Sequence, residues 1–184
     1  MSSVDPTPAF PFGHGLGYTT FEWSDPEIVG PDGHPQQAAD DNGAGTEWPV
    51  DDAVTVRITV RNAGSRAGTE VVQLYLHDLV AQTTRPVVRL VGYTRVPLEP
   101  GQAAYATFTV PADVTSFTGL HGRRIVEPGD VELRFGRSSG DPAATVRLRL
   151  TGAEREVGHR RHLLSPARVE PVPTLPSTVT EVPG

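Results

Sequence analysis

The stretch Val54–His77 organises the pattern of this 184-residue chain, with two alternating runs joined by a polar, glycine-bearing return. Val54, Val56, Ile58 and Val60 interleave with Thr55, Arg57, Thr59 and Arg61. A period of two places the aliphatics on one face of a strand and the polar side chains on the other. Asn62 to Gly68 follow, with Asn62, Gly64 and Gly68 able to take turn conformations closed to β-branched residues. Val72, Leu74 and Leu76 then resume the alternation. Two one-sided strands and a tight return predict an antiparallel hairpin with one dry face. Each of the first four aliphatics contributes roughly 1.5–3 kcal/mol when buried. A lone hairpin is not stable in water, so a second sheet has to cover that face.

The same reading extends along the chain. Thr20–Val29 fits a first strand, interrupted by Pro26. Leu90–Leu98, Ala104–Val110, Val131–Phe135 and Thr145–Leu150 fit later strands, and Val131, Leu133, Phe135, Val146, Leu148 and Leu150 should face inward. Pro97–Gly101 and Glu127–Asp130 are turn signals. Ser116–Gly122 suits a small extra hairpin, and Asp113–Phe117 one short helical turn. About seven main strands at this spacing predict an all-β fold, an immunoglobulin-like antiparallel sandwich.

Three stretches break the pattern. Ala9–Tyr18 sets Gly13, Gly15, Gly17 and Pro11 among Phe10, Phe12, Leu16 and Tyr18, which suits neither helix nor strand. It reads as an irregular segment pinned by its apolar side chains. Gly30–Asp52 holds Asp32, Asp40, Asp41, Glu47, Asp51 and Asp52 with no Arg, and reads as a long exposed loop. Glu154–Gly184 runs through Pro166, Pro171, Pro173, Pro176 and Pro183 and reads as a disordered tail. The expected division is an entry segment at 1–20, a sandwich at 21–152 with the acidic insertion at 30–52, and a tail at 153–184.

Composition narrows the partners. The formal net charge of −6 argues against nucleic acid, which requires a basic surface. All 16 cationic residues are Arg. The absence of Cys removes disulfides, thiolate metal sites and thiol nucleophiles. Met1–Phe10 has no positive n-region and no apolar core, so it does not read as a signal peptide. No run approaches the ~18 apolar residues of a membrane span.

Four motifs, in order, resemble the C-terminal domain of glycoside hydrolase family 3, the β-glucosidases and β-xylosidases. Pro11-Phe12-Gly13-His14-Gly15-Leu16-Gly17-Tyr18-Thr19-Thr20-Phe21 is similar to that domain's entry motif, with Gly17 where Ser is usual. Val60-Arg61-Asn62-Ala63-Gly64-Ser65-Arg66-Ala67-Gly68-Thr69-Glu70-Val71-Val72-Gln73-Leu74-Tyr75 is similar to its central motif. Arg85-Pro86 with Leu90-Val91-Gly92-Tyr93, and Pro128-Gly129 through Phe135-Gly136-Arg137-Ser138-Ser139, complete the likeness. The resemblance covers roughly 10–150. It implies a fibronectin type III-like sandwich, an accessory domain packed against a catalytic barrel and an α/β domain, in cis or on a separate chain. Phe10, Phe12, His14, Leu16 and Tyr18 are then the expected docking residues, with nucleic acid and membrane not expected as partners.

Glycoside cleavage needs two carboxylates about 5–5.5 Å apart for retention. In the resembled family the barrel carries the Asp nucleophile, in a Ser-Asp-Trp motif, and the α/β domain typically carries the acid/base Glu. Trp23-Ser24-Asp25 reverses that order on an expected sandwich strand. Asp40-Asp41 and Asp51-Asp52 read as solvated pairs, with a weak Ca²⁺ site as the other reading. His159-Arg160-Arg161-His162 lacks carboxylate geometry for a metal, and Ser138–Asp141 reads as a turn. No catalytic residue, cofactor or metal site is therefore expected. His14 reads as a loop-fixing hydrogen-bonding group or an interface contact. Trp23 should pack within the sandwich, and Trp48 is the better candidate for a surface contact. The alternative function is a free carbohydrate-binding or adhesion module, which would need a row of exposed aromatics from Tyr75, Tyr93 and Tyr105. An autonomous glycosidase is a third.

Overall fold

The computed structural model describes residues 8–36, 45–79 and 88–173. Within them the strands are β1 (Phe21–Trp23), β2 (Glu27–Val29), β3 (Pro35–Gln36), β4 (Thr46–Pro49), β5 (Ala53–Asn62), β6 (Gly68–Asp78) and β7 (Arg89–Leu98). They continue as β8 (Ala103–Pro111), β9 (Phe117–Thr118), β10 (Arg124–Val126), β11 (Gly129–Ser138), β12 (Asp141–Thr151), β13 (Arg155–Glu156) and β14 (Ala167–Pro171). One sheet runs β14-β8-β5-β2-β3, with β1 also on β5, and the other runs β4-β12-β11-β6-β7. A third, small sheet runs β13-β10-β9. The all-β sandwich matches the expectation, as do the small hairpin near Phe117 and a 3₁₀ turn at Ala112–Thr115.

The alternating faces explain the core. Val56, Ile58 and Val60 of β5 and Ala106, Phe108 and Val110 of β8 are inaccessible to water. Opposite them lie Val72 and Leu74 of β6, Leu133 and Phe135 of β11 and Leu148 of β12, buried to the same degree. Phe108 meets Phe135 edge-to-face across the interior, 5.9 Å between centroids.

Four expectations need correction. β5 and β6 do not form a hairpin. β5 pairs with β8 and β2, whereas β6 pairs with β11 and β7 in the opposite sheet. Two dry faces can be buried side by side or face to face, and alternation is the same in both; here they meet face to face. The connection at 63–67 crosses between sheets, anchored by Asn62, which is fully buried.

The acidic stretch at 30–52 is not one exposed loop. β3 pairs with β2, and β4 pairs in parallel with the edge of β12, Trp48 opposite Leu150. Asp40 and Asp41 lie outside the described residues. Trp48 is not a surface contact: it is 1% exposed, and its Nε1 donates to the Asp52 carbonyl at 3.3 Å. Pairing to β12 turns its ring into the core, a tertiary effect that local composition cannot signal.

The stretch at 153–173 is not the expected disordered tail. β13 pairs with β10, and β14 extends the first sheet along β8, Val169 opposite Ala106. Proline does not prevent this, because an edge strand has an outward side where no N–H is needed. Residues 174–184 of the expected tail lie outside the described residues.

Candidate domain-docking surface

The outer face of β6 decides how the entry segment sits. Gln73 and Tyr75 point away from the core but are buried all the same. What covers them is the entry segment. Gly13 has φ +81°, a left-handed conformation natural to glycine, and a turn closes as the His14 N–H donates to the Pro11 carbonyl at 3.1 Å. The turn aims the Gly13 carbonyl at β6, where Gln73 Nε2 donates to it at 3.0 Å. The same Nε2 donates to the Arg137 carbonyl. Gln73 Oε1 accepts from the Tyr75 hydroxyl at 2.6 Å, and burial raises the pKa of that phenol, keeping it a donor. The Ser139 N–H donates to the Phe12 carbonyl at 2.9 Å.

A second anchor holds the far end. Asn62 Oδ1 accepts from Thr19 Oγ1 at 2.8 Å and from the Gly64 N–H at 3.0 Å. Its Nδ2 donates to the carbonyls of Arg66 at 2.7 Å and Leu98 at 3.0 Å. Every hydrogen-bonding site of a fully buried amide is thus used, which joins the entry segment, the 63–67 crossing and β7. Gly64 and Gly68 let the segment come this close: a Cβ on Gly64 would lie 2.1 Å from Thr19 Oγ1, and one on Gly68 2.5 Å from Thr19 Cγ2.

With its backbone held inward, the segment turns its large side chains out. Phe10 is 68% exposed, Phe12 66%, Leu16 91% and Tyr18 93%. His14 stacks on Phe10, 4.9 Å between ring centroids. Val71 of β6 is exposed beside a groove of about 520 Å³ that His14, Leu16, Glu70 and Arg137 also line. Arg137 crosses the groove floor: it sits 3.6 Å from Glu70, donates to the Phe21 carbonyl at 3.2 Å and lies 5.0 Å over the Trp23 ring. Trp23 itself packs on the core, as expected. Sequence reasoning did not single out Gln73, Arg137 or the clamping role of Asn62. A polar residue breaking the expected inner face, followed by a glycine two residues on, was the available signal only for Asn62.

The other candidates fall elsewhere. Asp25 is exposed, and Ser24 forms a strand corner, its N–H donating to the Thr59 carbonyl at 3.0 Å. Asp52 Oδ1 accepts from the Ala53 N–H at 2.7 Å, a local turn. The His162 N–H donates to Asp113 Oδ2 at 3.0 Å, and Arg155 NH2 pairs with Asp113 Oδ1 at 2.6 Å, so that tract tethers the chain after β13. Ser138–Asp141 is the turn between β11 and β12. Among the described residues no group of three or more His, Asp or Glu side chains could hold a metal ion. Tyr75 is buried, Tyr93 is exposed on β7, and Tyr105 sits on the opposite sheet with Arg57 4.3 Å over its ring, so the three do not form a row.

On the outer face of β11, Glu132 is buried between His77 at 3.2 Å, Arg134 at 2.7 Å and Arg147 at 3.5 Å. Burial pushes its carboxyl up, but hydrogen bonds from Arg134 and His77 outweigh that and hold the pKa below the ordinary glutamate value.

A family model for the fibronectin type III-like domain matches residues 70–139, from the outer face of β6 to the end of the β11 turn. A β-glucosidase of Rhizobium radiobacter is 37% identical over 144 residues, 78% of this chain and 16% of the relative. A β-xylosidase of Formosa agariphila is 34% identical over 145 residues, 78% of this chain and 18% of the relative. The β-glucosidase of Listeria innocua, solved with glucose, superposes with a TM-score of 0.69 at 26% identity, covering 82% of this chain and 19% of that one. The chain carries the fibronectin type III-like domain of family 3 glycoside hydrolases. It spans less than a fifth of the length of the relatives it matches, in which the domain is one part of a larger multidomain protein.

Proposed function

We propose that this fibronectin type III-like domain is the non-catalytic accessory part of a β-glucosidase-like enzyme. It stabilises and orients a catalytic barrel and an α/β domain that lie outside these 184 residues. Phe10, Phe12, His14, Leu16 and Tyr18 form the contact. One observation carries the reading: four large apolar side chains stand in water on a backbone that is itself tied down at Gly13 and Thr19. Contiguous exposed apolar surface rimmed by polar groups marks interaction sites.

The test is association with a catalytic portion of the Rhizobium radiobacter relative from which the matching region has been removed. Light scattering and aryl β-glucoside hydrolysis would be followed as the chain is added. The expected result is a complex with raised thermal stability. A variant with Phe10, Phe12, Leu16 and Tyr18 all changed to Ser should keep the sandwich's own melting temperature and lose the complex. Association unaffected by the four substitutions would overturn the assignment of these residues.

A further inference from the structure

The strand β14 lies beyond residue 139, where the family match ends. It pairs antiparallel with β8 from Ala167 opposite Phe108 to Pro171 opposite Ala104. The Thr109 N–H donates to the Pro166 carbonyl at 3.0 Å and the Val172 N–H to the Ala103 carbonyl at 3.1 Å, so odd-numbered amides of β8 face β14. Even-numbered ones face β5, as the Asn62 N–H to Gln102 carbonyl bond shows.

Backbone bonds hold this strand far more than side chains do. Ala167, Arg168, Glu170 and Pro171 are exposed, and Val169 alone of the five packs on the core. An open groove of about 770 Å³ remains beside its end, between Val169, Pro171 and Pro173 on one side and Leu98 and Ala104 on the other. The preceding stretch, 158–164, is exposed apart from half-buried Arg161, and leaves Leu163 and Leu164 in water. The connection is held only at points, by the His162 N–H to Asp113 at 3.0 Å and the Ser165 N–H to the Val91 carbonyl at 2.7 Å. Few apolar contacts on the strand and a connection anchored at two backbone amides suit a locally opening segment.

We propose that β14 is a displaceable strap and that the β8 edge beneath it is a strand-acceptor site, filled in trans by the same strap of a second copy. Strand addition to a sheet edge draws its affinity from main-chain bonds and its specificity from alternate side chains, here the Val169 position. Exchange between copies recreates every contact of the closed form, so it costs little beyond association. Pro171, whose missing N–H falls on the outward side of the strap, and the Arg168–Glu170 pair at 3.1 Å discourage a further strand from adding to the closed form. The inference is independent of the docking residues, which lie on the other sheet.

The test uses the full chain and a fluorescent peptide of residues 163–173. In the native chain the tethered strap competes at an effective concentration on the order of millimolar. Val169→Asp weakens that competitor, so the variant should bind the native-sequence peptide at least tenfold more tightly by anisotropy. By hydrogen exchange on the native chain, the amides of Tyr105, Thr107 and Thr109 should exchange at least tenfold faster than those of Ala104, Ala106 and Phe108. Deleting residues 159–162 should shorten the connection and shift sedimentation from monomer to dimer. Equal exchange of the two sets of amides would overturn the displaceable strap. A folded Val169→Asp chain that ignores the peptide would overturn the acceptor site. A shortened chain that stays monomeric would overturn exchange between copies.

Discussion

Asn62→Ala should be among the most damaging single changes that leave the aliphatic core intact. The side chain is fully buried and makes four hydrogen bonds, to Thr19, Gly64, Arg66 and Leu98. Alanine cannot replace any of them. The bond to the Leu98 carbonyl is wholly buried, and orphaning that acceptor costs about 1–3 kcal/mol. The other three partners are part-buried, so water can reach them after the substitution; their loss costs about 0.5–1 kcal/mol each. The sum is about 2.5–6 kcal/mol, a large share of the ~5–15 kcal/mol that stabilises a typical domain. At this chain length each kcal/mol moves the midpoint by about 2–4 °C, so the melting temperature should fall by roughly 5–24 °C.

The assay is urea unfolding followed by circular dichroism, with the slope m expected to stay the same while the midpoint falls. Thr19→Val removes only one of the four bonds and should cost under about 1 kcal/mol. Because the two residues share that bond, the double variant should cost less than the sum of the singles. An Asn62→Ala variant within about 0.5 kcal/mol of the native chain would refute the reasoning, since that is the scatter of an ordinary surface substitution. Strict additivity with Thr19→Val would refute the claim that Asn62 holds the entry segment.

Two further outcomes are expected. Trp48→Ala removes a fully buried ring and should cost about 3–5 kcal/mol by denaturant unfolding; a change under about 1 kcal/mol would return Trp48 to the surface. For Glu132, the folded-state pKa lies below the unfolded one. Its contribution is therefore present above the ordinary glutamate value and lost as pH falls through the depressed one. Glu132→Gln should lower stability at neutral pH by about 1–3 kcal/mol and flatten the acid side of the stability–pH curve. An acid side as steep as the native chain's would count against the cluster.

Much of the sandwich was legible because a period of two is a property of single strands. Val131, Leu133, Phe135, Val146, Leu148 and Leu150 face inward as the alternation says. What the alternation lacks is any record of which strand lies next to which. β5 and β6 read as a hairpin because each has one dry face, and the information that separates them sits in one side chain, Asn62, whose partners are 36 and 43 residues away in Leu98 and Thr19. Trp48 was misplaced for the same reason. A short apolar stretch in an acidic surrounding looks solvated until a parallel neighbour, β12, is available to it. The strap failed differently: Pro171 is poor inside a sheet but acceptable with its nitrogen on the outward side of an edge strand, and a sequence does not say where the edge is.

The entry segment shows how the two levels combine. Gln73 and Tyr75 occupy positions that alternation assigns to solvent, yet both are buried, and the cover is backbone, not side chain. Residues 11–20 therefore belong to the folded sandwich as much as β6 does. The same arrangement leaves Phe10, Phe12, Leu16 and Tyr18 largely in water, Phe10 stacked only on the equally outward His14. A partner meeting them would find the loop already held, so little backbone entropy remains to be lost on association. A flexible linker with the same four side chains would have to be ordered at that moment, at roughly 1–2 kcal/mol per residue. In the proposed contact the hydrogen bonds at Gly13 and Thr19 would serve as directly as the exposed side chains, and loosening them with Gly13→Ala or Asn62→Ala should weaken docking even where every exposed side chain is intact.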